Sequence, residues 1–113
     1  MPCAKLLALF DLKREALERG GSAGCFAINA SIEYDGKHQN IVAACRTFLN
    51  SLEDLVFSLC KEAKCTDPKT AARKIVLLFE GAIIYGQSKQ DPAIIDLAKG
   101  LARAVLNEYH CDT

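Results

Sequence analysis

The sequence has no surplus of either charge: Lys plus Arg number 14, and so do Asp plus Glu. The balance is also local, with five charges of each sign in residues 1–40, three of each in 41–66 and six of each in 67–113. A duplex-binding surface needs a concentrated cationic footprint to displace counterions, so autonomous nucleic-acid binding is disfavoured. Long apolar runs are missing too. None approaches the roughly 20 residues that cross a bilayer, which excludes a membrane-spanning helix. The apolar stretch Leu6 to Phe10 is too short for a secretory signal and is closed at once by Asp11, so secretion is disfavoured. No Cys-x-x-Cys pair occurs, and His38 and His110 stand at no zinc-ligand spacing from any cysteine pair, so no metal site is expected. The Gly20-Gly21-Ser22-Ala23-Gly24 stretch lacks the Lys-Ser/Thr that a phosphate-binding loop requires, and no strand pattern precedes it.

What the chain does have is six cysteines: Cys3, Cys25, Cys45, Cys60, Cys65 and Cys111. A disulfide scaffold compensates for a poor core and accompanies secretion. Half of this chain is apolar and no signal is visible, so six free thiols packing as small hydrophobes are expected. Cys25, in a Gly-rich turn that opens a helical pattern, is the candidate for a reactive thiol.

At 113 residues there is room for one domain only. Apolar residues recur at helical spacing, without strand-like alternation, and predict helices over 3–19, 25–34, 38–64, 68–88 and 92–110. Two of these open on Asp-Pro, at Asp67-Pro68 and Asp91-Pro92. Aspartate caps the helix there, and proline fits the first helical position because its missing donor is not needed. The fold class is all-α, a five-helix bundle.

The 38–64 segment is cleanly amphipathic. Ile41, Cys45, Phe48, Leu52, Leu55, Val56 and Leu59 fall on one arc, opposite Arg46, Asn50, Glu53, Asp54 and Lys61. The 68–88 segment is apolar on two sides. Ala72, Ile75, Phe79, Ala82, Ile83 and Gly86 make one stripe, and Leu77, Gly81, Ile84 and Ser88 make another. Arg73, Glu80 and Gln87 form a narrow polar seam between them, where Glu80 is expected to be paired. The 92–110 segment carries Ile94, Ala98, Leu101 and Val105 beside Ile95, Ala102, Leu106 and Tyr109. A chain this small has too little mass to cover both stripes, so the last two helices are expected to meet a second copy in a four-helix bundle. The expected interface residues are Leu77, Gly81, Ile84, Ser88, Ile95, Ala102 and Leu106.

No catalytic arrangement is visible. Neither histidine has a carboxylate at helical spacing on an apolar face, and no Ser, His and Asp set can be placed. The expectation is a non-enzyme without cofactor.

The segment Gly24-Cys25-Phe26-Ala27-Ile28-Asn29-Ala30-Ser31-Ile32-Glu33 precedes a long helix. Ala71-Ala72 and Leu77-Leu78-Phe79-Glu80-Gly81-Ala82 follow, and a last helix opens after Asp91-Pro92. In that order, from about Leu6 to Tyr109, the chain resembles the C-terminal half of a TetR-family transcriptional regulator. The resemblance implies a cytoplasmic, all-helical domain that binds an effector and dimerises through its last two helices. It also implies that DNA is contacted by an N-terminal helix-turn-helix headpiece, which these 113 residues do not contain, whether the chain is a fragment or a headless form. The implied inducer pocket lies between the middle helices. Phe26, Phe48, Leu52 and Phe79 are its candidate apolar lining, with Asn29 and Tyr34 as orienting polar groups. The inward arcs carry no charge, so the expected effector is a small hydrophobic molecule. Two other readings stand beside this one: a helical homodimeric interaction protein without a ligand, and a thiol-based redox sensor acting through Cys25.

Overall fold

A computed structural model describes residues 1–20 and 39–112. Among these residues the structure is entirely helical: α1 (Pro2–Glu18), α2 (Gln39–Glu62), α3 (Pro68–Lys89) and α4 (Ala93–Glu108). The expected helix over 25–34 lies outside the described residues. The other four fall within about two residues of their expected limits.

The first Asp-Pro start works as expected, while at the second α4 begins one residue later, at Ala93, with Pro92 itself in the N-cap position. Asp67 Oδ1 accepts from the Thr70 amide at 3.2 Å, with Pro68 entering the first turn of α3. Asp91 Oδ1 accepts from the Ala93 amide at 3.1 Å and so opens α4. Three helix ends share one device. Lys64, Gln90 and His110 adopt left-handed backbone with φ of 60°, 53° and 54°. The next amide then reaches back into the last turn: Cys65 to Cys60 O at 3.1 Å, Asp91 to Gly86 O at 2.9 Å and Cys111 to Leu106 O at 2.9 Å. Each bond satisfies a carbonyl that the helix end would otherwise leave bare.

The helices run alternately up and down. Cys3 at the start of α1 meets Asp112 beyond α4. Arg14 near the end of α1 pairs with Asp96 near the start of α4, and Lys99 Nζ binds Asp11 at 2.8 and 3.0 Å. α3 is central, packing on α4 and α2 and touching α1. Leu6 and Phe10 of α1, Ile75 and Phe79 of α3, and Ile95 and Leu106 of α4 form the centre of the core. The Phe10 and Phe79 rings meet edge to face, with centroids 5.2 Å apart. Alanines 71, 72, 82, 98 and 102 are buried between them, and their small side chains let the helix axes approach closely. At the far end Gly86 has the same use, since a Cβ there would sit 3.5 Å from Leu17 and Ile95 and 3.4 Å from Asp91 O.

Two expectations about α2 and α3 need correcting. Phe48 and Leu55, on the apolar arc of α2, stand half-exposed at one edge, while Cys45, Val56 and Cys60 are buried. The apolar arc is wider than the groove it packs into, so its edge overhangs. Glu80 is not joined to its seam neighbour Arg73, whose Nε instead lies 3.8 Å from Glu53 Oε1 on α2. Glu80 is buried, and its Oε2 has no hydrogen-bond partner among the described residues.

Candidate functional site

The second stripe of α3 points away from the core. Leu77 is 74% exposed, Gly81 faces open space where a Cβ would stand, Ser88 is exposed and Ile84 is half-buried. Tyr85 stands exposed beside them.

On α4 the expected interface is inverted. Ile95, Ala102 and Leu106 are buried in the chain's own core and offer nothing to a partner. The outward apolar residues are Leu97 and Leu101, 66% and 51% exposed, with Ile94 and Val105 half-buried beside them. α3 and α1 both pack on α4 and bury Ile95, Ala98, Ala102 and Leu106, so the buried arc takes Ala98 from the other expected stripe, while the exposed Leu97 belongs to neither. Leu77, Gly81 and Ile84 on α3 and Leu97 and Leu101 on α4 are thus the outward small and apolar residues of these two packed helices.

Only three of the six pocket candidates fall within the described residues. Phe26, Asn29 and Tyr34 lie outside the described residues. Phe79 is packed against Phe10, Leu52 is half-buried and Phe48 is half-exposed. Among the described residues, three clefts can be named that are not lined by Phe48, Leu52 or Phe79. The largest, about 660 Å³, is bounded by Leu17, Glu18, Gly20, Gln87, Gln90 and Pro92, where α1 ends and α3 turns into α4. A second, about 420 Å³ and mostly apolar, lies between the first turns of α1 and the end of α4, against Cys3, Leu7, Arg103 and Leu106. The third, about 220 Å³, has Phe57, Lys69 and Ala72 beside Glu53 and Asp54. Sequence reasoning missed the first because its lining comes from helix ends, where hydrophobic periodicity is silent.

The expectation of six free thiols fails at one pair: Cys65 and Cys111 form a disulfide. Cys3, Cys45 and Cys60 are free and buried. Burial pushes the Cys60 thiol up to about 11, with the nearby Cys3 adding to the effect. Cys3 is likewise raised, by burial and then by the negative charge of Asp112. Among the described residues no group of three or more His, Cys, Asp or Glu is arranged to hold a metal ion. No described helix is long and apolar enough to cross a membrane.

An alternating helical bundle with outward apolar side chains on its last two helices defines an all-α domain. The chain belongs to the family described as tetracyclin repressor-like, C-terminal domain, which matches residues 2–101. Members of this family are transcriptional regulators. No curated protein matches the chain, and neither does any solved structure.

Proposed function

We propose that this single domain is the effector-sensing and dimerisation part of a TetR-like transcriptional regulator, controlling a DNA-binding headpiece that lies outside these residues. The observation that carries the reading is the outer side of α3 and α4, where Leu77, Leu97 and Leu101 are exposed on a chain of this family. Two copies pairing these helices would form a four-helix bundle and remove those side chains from water. The effector is a small hydrophobic molecule. Of the described clefts, the mostly apolar one against Cys3, Ala4, Leu7 and Leu106 suits it, with Arg103 and Asn107 as the polar groups that could orient a ligand.

Sedimentation of the wild-type chain at micromolar concentration should give a dimer, and Leu77→Glu with Leu101→Glu should give a folded monomer. Each unpaired charge in the interface costs on the order of 3–5 kcal/mol, while in the monomer both positions face water. A wild-type monomer would sink the dimer reading. Uncharged aromatic compounds should raise the melting temperature, by about 2.7 kcal/mol of added stability at a hundredfold excess over Kd. A second reading, an interaction module with no ligand, draws support from the outward Leu77, Leu97 and Leu101, which a partner chain would cover without any ligand. A dimer that no compound in the panel stabilises would favour it.

A further inference from the structure

We propose that Cys65 and Cys111 are a reversible dithiol–disulfide pair that locks and unlocks the C-terminal ends of α2 and α4. The two cysteines occupy equivalent places. Each follows a left-handed residue, Lys64 or His110, and each amide closes the end of its own helix. The helix ends are also bonded to each other without sulfur. The Thr66 amide donates to Tyr109 O at 2.8 Å, the Thr66 hydroxyl donates to the same oxygen at 3.0 Å, and the Asp112 amide donates to Ala63 O at 2.7 Å. These bonds hold the two sulfur-bearing residues opposite one another whether or not the sulfurs are joined. Closing the bond therefore needs little rearrangement, and opening it leaves a scaffold on which it can close again.

The neighbouring thiols do not compete. Cys60 is fully buried, and with its thiol pushed up to about 11 it remains protonated near neutral pH. Cys3 is also shifted upward, and its thiol is engaged as a donor to Asp112 O at 2.9 Å. The thiolate is the attacking species in exchange, so both are poor nucleophiles. Cys65 and Cys111 keep 7% and 8% exposure, which gives a small reagent a path that Cys60 does not offer.

A low-molecular-weight disulfide serves as the oxidant. One protein thiolate attacks a sulfur of that molecule and expels the other half as a thiolate. The second protein thiolate then attacks the mixed disulfide at the protein sulfur and expels the remaining half. Two electrons pass from the protein sulfurs to the small disulfide, and the two protein thiol protons are balanced by protonation of the two released thiolates. Reduction by a dithiol reverses each step.

The full chain, cycled between oxidised glutathione and dithiothreitol, tests the pair. Intact mass should shift by two hydrogens, and peptide mapping should place the bond between residues 65 and 111 only. The amides of Thr66 and Asp112 span the clasp and should exchange with solvent about tenfold faster or more when reduced, while the Ile75 and Ala82 amides inside α3 hold their rates. C65S/C111S should show the reduced pattern under both conditions. Failure to oxidise, a bond formed with Cys3 or Cys60, equal exchange in the two states, or global unfolding on reduction would each overturn the proposal.

Discussion

The two ends of the bundle are built differently. At one end, α1 begins, α2 and α4 finish and α3 starts, and a disulfide, three inter-segment hydrogen bonds and the Cys3 thiol tie these segments together. Lys74 adds to it, 2.9 Å from Glu108 Oε1 and 4.9 Å over the Tyr109 ring. At the other end, α1 stops and α3 turns into α4. Among the described residues the contacts there are the ion pairs of Arg14 with Glu18 and Asp96, the close approach at Gly86, and a cleft. Surface ion pairs contribute little, typically below about 1 kcal/mol each. One end carries a covalent fastening, and among the described residues the other rests on packing and surface charge.

The largest expected effect comes from unfastening the tied end. Cys65→Ala with Cys111→Ala should lower stability to urea by about 2–4 kcal/mol relative to the oxidised chain, because the bond closes a sequence separation of 46 residues. A loss well under 1 kcal/mol would mean that the hydrogen bonds alone fasten this end, and the contrast would collapse.

Next comes alkali. The Cys60 thiol titrates near 9 when the chain is unfolded and near 11 when folded, so the unfolded chain releases its proton first. Stability contributed by the neutral thiol is intact below pH 9 and falls through the window up to pH 11, by at most about 1.4 kcal/mol per pH unit. Unfolding measured across that window should slope downward in wild type and be flatter in Cys60→Ala. Equal slopes would remove Cys60 from the tied end's chemistry.

The smallest effect belongs to the open end. Gln90 holds a left-handed conformation supported only by its own helix, and glycine adopts it without the Cβ clash. Gln90→Gly should therefore raise the melting free energy by up to about 1 kcal/mol. A decrease would show that the Gln90 side chain, which lines the cleft, contributes more than its backbone costs.

These regions differ in how far the sequence discloses them. The helices were legible because Asp67-Pro68 and Asp91-Pro92 punctuate them and apolar spacing fills the intervals. The double stripe of α3 was legible as well, since Leu77 and Gly81 have no partner at helical spacing inside the core. On α4, spacing revealed two stripes but not which residues α3 and α1 would cover, and Ile95, Ala102 and Leu106 are buried in the chain's own core together with Ala98 of the other stripe. The disulfide was hidden for a related reason. Pairing depends on where helix ends meet in space, and Cys65 and Cys111 each lie just past an end. A faint signal did exist: each cysteine stands where a helical pattern breaks, five residues after Cys60 or Leu106, the pattern's last buried position.

The contact of Cys3 Sγ with Asp112 O has a consequence for how the chain could be rewired. It brings the first turn of α1 against the backbone just beyond α4, so the polypeptide closes almost into a ring. A linker of a few residues between Asp112 and Met1 would complete that ring, and new ends could be opened in the turn around Gln90 without cutting a helix. The order of the helices along the chain is thus separable from their arrangement in space. A domain fused ahead of Met1 would emerge beside the Cys65–Cys111 bond, at the fastened end.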